Sequence, residues 1–76
     1  MTLDQLSIGD PFVISHVTAR GEIRRRLVDM GFVAGTRGTL LRRALLGGPL
    51  DLRIGSFRIA IRATEAQQLI VSHADA

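Results

Sequence analysis

The two histidines, His16 and His73, are the side chains in this 76-residue sequence that are best suited to bind a transition metal. Cysteine is absent, which excludes thiolate zinc sites, disulfide bonds and thiol nucleophiles. The histidines lie far apart in the sequence, so they do not form the closely spaced ligand pair of a typical metal site. We therefore predict no resident cofactor and treat His16 and His73 as candidates for a low-specificity metal contact on the surface.

The serines and the glycine-rich stretch do not build a catalytic site. No serine lies in a motif with a histidine and a carboxylate, so no activated nucleophile is indicated. Gly47 and Gly48 are followed by Pro49 rather than by the lysine of a phosphate-binding loop. We expect these glycines to form a turn between two strands, and we expect the protein not to be an enzyme.

Arginine supplies all ten cations of the chain, against seven carboxylates, and the net charge is +3. The pI of about 11.4 overstates this basicity, because almost nothing titrates between the amino terminus and guanidinium. A charge of +3 is ordinary for a protein of this length. Single-stranded nucleic acid is disfavoured, since no tyrosine or tryptophan can stack on bases and the three phenylalanines are expected in the core.

The arginine run at residues 24–26 has three interpretations. It can be the solvated face of a helix, stabilised by carboxylates one turn away. The ion pairs expected on that face are Glu22 with Arg26 and Asp29 with Arg25. It can instead contact an acidic protein surface, for which Arg24 and Arg25 are the candidates. Duplex nucleic acid is the third interpretation, and it predicts binding that weakens steeply with salt.

An amphipathic helix follows a first predicted strand at residues 12–17. Its apolar face repeats at helical spacing and is formed by Ile23, Leu27 and Met30. Gly31 can adopt the left-handed conformation that ends helices, which brings Phe32 against Leu27. The sequence therefore predicts a helix whose end returns the chain to the core.

A second strand is predicted at residues 37–43, and the Gly-Gly-Pro turn at residues 47–49 ends it. Between them stand two adjacent large apolar residues, Leu45 and Leu46. Neighbouring side chains in a loop cannot easily both turn inward, so we expect at least one of these leucines to be exposed.

The clearest local pattern is a hairpin of two alternating segments, residues 50–54 and 57–61, joined by a Gly-Ser loop. The expected core face consists of Ile54 opposite Phe57, Leu52 opposite Ile59 and Leu50 opposite Ile61. On the outer face the same register places Arg53 opposite Arg58, with Asp51 diagonal to Arg58. The two like charges oppose strand pairing modestly.

Two short helical turns with the spacing of a capping box, one beginning at Thr2 and one at Thr64, complete the pattern. A closing strand at residues 69–71 and a frayed tail at residues 73–76 are expected. Five short strands predict a mainly β fold: a small SH3-like five-stranded barrel, with the amphipathic helix between strands 1 and 2. Residues 1–76 are too few to divide, so we expect a single domain.

The composition also limits partners and location. An SH3-like barrel with so few aromatic residues cannot form the groove that binds proline-rich peptides. The candidates for contact with a partner are therefore Leu45, Leu46, Arg53 and Arg58. The longest uncharged stretch, residues 44–50, is far too short to cross a bilayer. We expect a cytosolic protein, in which an open barrel edge or the leucine loop offers a route to a homodimer.

Four segments, in this order, resemble the ferrous iron transport protein A family, FeoA. They read Leu-Ser-Ile-Gly-Asp from Leu6, Arg-Leu-Val-Asp-Met-Gly-Phe from Arg26 with Gly-Thr at Gly35, Leu-Gly-Gly-Pro-Leu from Leu46, and Ile-Ala-Ile-Arg-Ala-Thr-Glu-Ala from Ile59. The resemblance covers nearly the whole chain. Ala34 departs from the family's pattern, which has proline there, and Ala63 replaces a frequent second arginine.

The resemblance implies an SH3-like barrel and a cytosolic accessory role in bacterial ferrous iron uptake. The implied partner is the cytosolic region of a FeoB-type permease, which carries a GTP-binding domain, and the implied role is to activate or assemble that permease. No agreed catalytic or metal residues are carried over from the family. The positions that are carried over are structural: Leu27, Met30 and Gly31 at the helix end, and Gly47, Gly48 and Pro49 in the loop.

The C-terminal domains of diphtheria-toxin-repressor-type regulators share this fold and much of the pattern. There the module is attached to a DNA-binding helical domain. This chain starts at Met1 and shows no second pair of helices, so we expect it to act on a separate partner. The alternative function is an SH3-like metal-responsive or nucleic-acid-binding module.

Overall fold

A curled antiparallel sheet of five strands forms most of the computed structural model, which describes residues 1–74. The strands are β1 (Pro11–Val17), β2 (Arg37–Arg43), β3 (Leu50–Ile54), β4 (Phe57–Ile61) and β5 (Leu69–His73). The helical elements are a 3₁₀ turn before β1 (Leu3–Gln5), helix α1 between β1 and β2 (Gly21–Asp29) and helix α2 between β4 and β5 (Ala63–Ala66). The spatial order of the strands is β4-β3-β2-β1-β5.

The predicted mainly β, SH3-like fold is confirmed, including the helix between the first two strands. Bulges interrupt the β1–β5 ladder at Ile14/His16 and the β2–β3 ladder at Leu40/Arg42, and bulges of this kind bend a sheet. Within residues 1–74 no ladder joins β4 to β5, so the sheet is barrel-like rather than closed.

The end of α1 is fixed by the glycine that the sequence indicated. Gly31 has a φ of 102°, its N–H donates to the carbonyl of Val28 at 2.9 Å, and the Phe32 N–H donates to the carbonyl of Leu27 at 3.0 Å. This pair of bonds is the Schellman motif, and it turns Phe32 into the core beside Leu27. The prediction for this helix end is confirmed.

Only the last turn of α1 reaches the core, although Ile23 belongs to the apolar face that the spacing predicted. Leu27 is fully buried and Met30 is half-buried, whereas Ile23 remains 47% exposed. Ile23 lies four residues before Leu27, about 6 Å further along the helix axis and away from the Schellman turn. The helix thus docks by its C-terminal end.

The β3–β4 hairpin has the predicted register, with Leu50 opposite Ile61 and Ile54 opposite Phe57. Its core face is buried at Leu50, Leu52 and Ile61 and becomes more exposed towards the Gly-Ser turn. Phe57 is 71% exposed, so the expectation that all three phenylalanines lie in the core is wrong. The reason is topological: β4 is an edge strand, and no further strand covers the side chain at its tip.

The two short helical turns differ from the sequence expectation in one case. The Thr2 N–H donates to the Gln5 side-chain oxygen at 2.9 Å, as predicted. At α2 the same arrangement begins at Arg62, whose N–H donates to Glu65 Oε1 at 2.8 Å, so the box predicted from Thr64 starts two residues too late. Glutamate is the stronger acceptor in such a box, and it sets the helix start.

The chain end also differs, because β5 continues to His73, whose backbone pairs with Phe12. The expected tail therefore does not begin at His73, and Asp75 and Ala76 lie outside the described residues. The outer side of β5 is covered by the first residues of the chain: the Val71 N–H donates to the Met1 carbonyl at 2.8 Å, and Thr2 forms a bridge with Ile70.

Candidate partner-binding surface

The β2–β3 connection, residues 44–49, forms a tight projecting loop. The Ala44 N–H donates to the Pro49 carbonyl at 3.0 Å, and the Gly48 N–H donates to the Leu45 carbonyl at 3.3 Å. The two central residues of the inner turn have positive φ angles, 59° at Leu46 and 75° at Gly47. This is the backbone of a mirror-image hairpin turn, for which glycine or asparagine is the usual choice at both positions.

Both leucines of this loop lie in solvent, with exposures of 88% for Leu45 and 104% for Leu46. The prediction that at least one is exposed is confirmed. Leu46 is the single non-glycine residue with positive φ in the described part of the chain, a conformation that costs about 1–2 kcal/mol for residues other than glycine. The loop therefore displays two large apolar side chains without any compensation from the core.

Gly47, Gly48 and Pro49 have the structural roles expected of a turn. Gly47 supplies a left-handed backbone position, and Pro49 supplies the carbonyl that closes the loop. A Cβ added at Gly48 would stand 2.6 Å from the Cβ of Ala44, so there is no room for a side chain there. These contacts hold the leucines at the tip.

Beside the loop lies a groove of about 320 Å³, whose lining includes Leu50, Ala63 and Gln67. Arg43 forms one wall, and its guanidinium donates to the backbone carbonyls of Asp4, at 2.7 Å, and Leu6. Sequence reasoning missed this role, because nothing in a local pattern shows that an arginine at a strand end reaches the N-terminal turn. Arg43 anchors that turn against the base of the leucine loop.

The three arginines at residues 24–26 of α1 make different contacts. The Arg24 guanidinium donates to the Val17 carbonyl at 2.8 Å, so this candidate contact residue is already hydrogen bonded to the fold. Arg26 pairs with Glu65 of α2 at 2.8 Å. Arg25 is exposed and lies in no ion pair among residues 1–74.

The predicted ion pairs within α1, Glu22 with Arg26 and Asp29 with Arg25, are wrong. The competing group is Glu65, whose side chain is only 6% exposed and therefore needs a cation more than a solvated carboxylate does. Arg26 bridges α1 to α2 instead of stabilising its own helix.

On the outer face of the sheet, Arg53 and Arg58 stand opposite each other, as the hairpin register predicted. Asp51 Oδ2 lies 3.7 Å from the Arg58 guanidinium, which confirms the diagonal contact. Arg58 remains 63% exposed, so this ion pair contributes little and leaves the guanidinium accessible.

The histidines do not assemble a metal centre within residues 1–74, where no three histidine and carboxylate side chains are grouped. His16 is exposed beside the β1 bulge. His73 Nε2 lies 3.3 Å from Asp10 Oδ2, which also accepts the Ser7 N–H at 2.9 Å. The pairing of β1 with β5 thus brings one histidine to a carboxylate, a pair that offers two ligands at most.

A curled five-stranded antiparallel sheet with one helix between its first two strands and a projecting apolar loop defines a small SH3-like domain. A family model described as the FeoA domain matches residues 1–73, and the chain belongs to this family. No helix within residues 1–74 has the length and apolar character needed to cross a membrane.

A curated relative, the Fe(2+) transport protein A/Fe(2+) transporter FeoB fusion protein of Porphyromonas gingivalis, is 37% identical over 71 residues. That match covers 93% of this chain and 8% of the relative, so the chain spans a small part of the fusion protein. The relative joins a domain similar to this chain to the transporter FeoB in one polypeptide.

Solved structures show the same family. Iron(II) transport protein A of Clostridium thermocellum is 36% identical with a TM-score of 0.90, over 96% of this chain and 45% of that one. The zinc complex of Stenotrophomonas maltophilia FeoA, described as an SH3 domain protein, is 33% identical with a TM-score of 0.82, over 95% and 89% of the two chains. A manganese-dependent transcriptional repressor shares the fold alone, at 20% identity and a TM-score of 0.88, over 97% of this chain and 41% of the repressor.

Proposed function

We propose that the protein is a non-enzymatic, cytosolic accessory protein of ferrous iron uptake that binds the cytosolic part of a FeoB-type permease and modulates its GTPase activity or its assembly. Membership of the FeoA family supports a role in ferrous iron transport. The fusion protein supports the partner, because two domains in one polypeptide meet at a high effective concentration. On this view residues 1–76 act as one FeoA-like domain.

The observation that carries the proposal is the exposure of Leu45 and Leu46 at the tip of a tightly closed loop. Burying one such side chain in an interface contributes about 1.5–3 kcal/mol. Adjacent large apolar side chains that are exposed on a soluble domain form a patch of the kind that marks a contact surface. Arg25, Arg53 and Arg58, which are exposed, favour a partner whose own surface is acidic.

The test is to measure binding of the cytosolic part of the permease to a Leu45→Asp, Leu46→Asp variant by calorimetry or pull-down. We expect affinity to fall by about 100-fold, since two apolar anchors are lost and two charges are brought into the interface. The far-ultraviolet spectrum and the melting temperature should stay unchanged, because neither leucine packs in the core.

The matched control is Ile8→Asp, which places the same charge at an apolar side chain that is 61% exposed elsewhere on the surface. Its affinity should equal that of the wild type. A double leucine variant that binds as tightly as the Ile8 variant would overturn the leucine loop as the binding site. Arg24→Glu with Arg25→Glu tests the contribution of α1 in the same assay.

A further inference from the structure

The outer side of β4 is an open sheet edge. Within the described part of the chain, the backbone of Phe57–Ile61 forms hydrogen bonds only with β3. The opposite edge of the sheet, at β5, is covered by Met1 and Thr2. An uncovered row of backbone donors and acceptors is the surface to which an extended polypeptide can add a strand.

The hairpin geometry shows which groups face outward. A two-residue loop makes Ile54 and Phe57 a hydrogen-bonded pair, and the pairing then alternates along the ladder. Arg58 and Ala60 are therefore the β4 residues whose N–H and C=O groups point away from β3. They offer two donors and two acceptors to an added strand.

The side chains beside this edge differ between the two faces of the sheet. On the outer face stands Arg58, with Arg53 next to it on β3. On the core side stand Phe57, which is largely exposed, and Ile59, which is half-buried. Residues of an added strand would place alternate side chains on these two faces, within about 5 Å of the β4 side chains opposite them.

We propose that the open edge of β4 binds an extended segment of a partner protein in which acidic and apolar residues alternate. The acidic side chains would face Arg58, and the apolar ones would cover Phe57 and Ile59. This deepens the function proposed above, since it names the chemistry that Arg53 and Arg58 recognise, and it rests on that function only for the identity of the partner.

Charge favours such a segment over a second copy of this chain. The outer face of β2 to β4 carries four arginines and one carboxylate, namely Arg37, Arg42, Arg53, Arg58 and Asp51. Pairing of two β4 strands would bring the Arg58 side chains of both copies within two residues of each other. Cationic side chains at an edge oppose self-association in this way, and they leave the edge free for an acidic strand.

The test is titration of the ¹⁵N-labelled protein with a synthetic nine-residue peptide that alternates valine and aspartate. We expect saturable shifts of the β4 amides, with the Arg58 and Ala60 amides protected from hydrogen exchange in the complex. Arg58→Glu should lower the affinity about tenfold. Arg20→Glu, which makes the same charge change at an exposed arginine just before α1, should leave it unchanged.

Two altered peptides separate strand addition from charge attraction alone. Methylating alternate backbone nitrogens removes the donors along one peptide edge, and of the two methylation patterns one should abolish binding. A valine and lysine peptide should not bind. Absence of saturable β4 shifts with the acidic peptide, equal affinity after either methylation, or concentration-dependent β4 shifts without any peptide would each overturn the proposal. Because no permease is present, such a failure would leave the Leu45 and Leu46 test unaffected.

Discussion

The helical elements, α1, α2 and the N-terminal 3₁₀ turn, contrast with the two turns at opposite ends of β3, the β2–β3 loop and the Gly-Ser turn of the β3–β4 hairpin. At the helical elements, two arginines are bonded within the protein: Arg26 to Glu65, and Arg43 to backbone carbonyls. At the two turns, Leu45, Leu46 and Phe57 lie in solvent. A small domain can thus assign stability and recognition to different elements.

This separation has a physical basis in size. A chain of 76 residues hides only about 60% of the surface of its unfolded state, so it has few apolar side chains to spare. The contacts of the helical elements use short polar networks to hold three elements on a thin core. Backbone hydrogen bonds close the two turns, and the apolar side chains exposed there remain available to a partner.

The contrast predicts its largest difference in the free energy of unfolding between variants of Phe32 and of Phe57. Phe32→Ala should lower the free energy of unfolding by about 3–5 kcal/mol, because the side chain is fully buried at the end of α1. Phe57→Ala should change it by less than about 0.5 kcal/mol, as for other exposed positions. Urea denaturation followed by circular dichroism measures both, and a similar loss in the two variants would contradict the contrast.

A smaller effect is predicted for the arginine run. Arg26→Met should cost about 1–2 kcal/mol, because it leaves the Glu65 carboxylate buried with only the Arg62 N–H as a partner. The half-exposure of Arg26 keeps the cost below that of a fully buried ion pair. The measurement is the same urea denaturation.

Arg25→Met is the matched control for this prediction, since Arg25 precedes Arg26 on the helix and pairs with no described carboxylate. It should leave the free energy of unfolding unchanged within about 0.3 kcal/mol. If both variants lose the same stability, the effect belongs to helix charge in general and the bridge from α1 to α2 contributes nothing.

The features that were predicted correctly from the sequence depend on residues that lie close together along the chain. The Gly31 helix end and the register of Arg53 opposite Arg58 follow from local rules, and both are confirmed. The pairing of Arg26 with Glu65 was missed, because it joins residues distant in sequence and competes with a plausible local partner, Glu22. Local spacing shows which ion pairs can form, whereas burial decides which one does.

The same limit applies to the candidate surface. The exposure of at least one of Leu45 and Leu46 was predicted, since two adjacent apolar residues cannot easily both enter the core from a loop, and both are exposed. The exposure of Phe57 was not, because an alternating pattern does not show where the core ends along a hairpin. Only the strand order, which puts β4 at an edge, reveals it.

The smallest predicted effect on stability is that of Leu46→Gly, which should stabilise the fold and weaken partner binding. Leu46→Gly should raise the free energy of unfolding by about 0.5–1 kcal/mol, since the relief of a left-handed leucine exceeds the added flexibility of the unfolded chain. The same change should weaken binding to the permease fragment about tenfold, because it removes one apolar anchor. Leu45→Gly is the control: its φ is not positive, so it should weaken binding without raising stability. A Leu46 variant that loses stability would show that the leucine side chain supports the loop, and stability and recognition would then not belong to different elements.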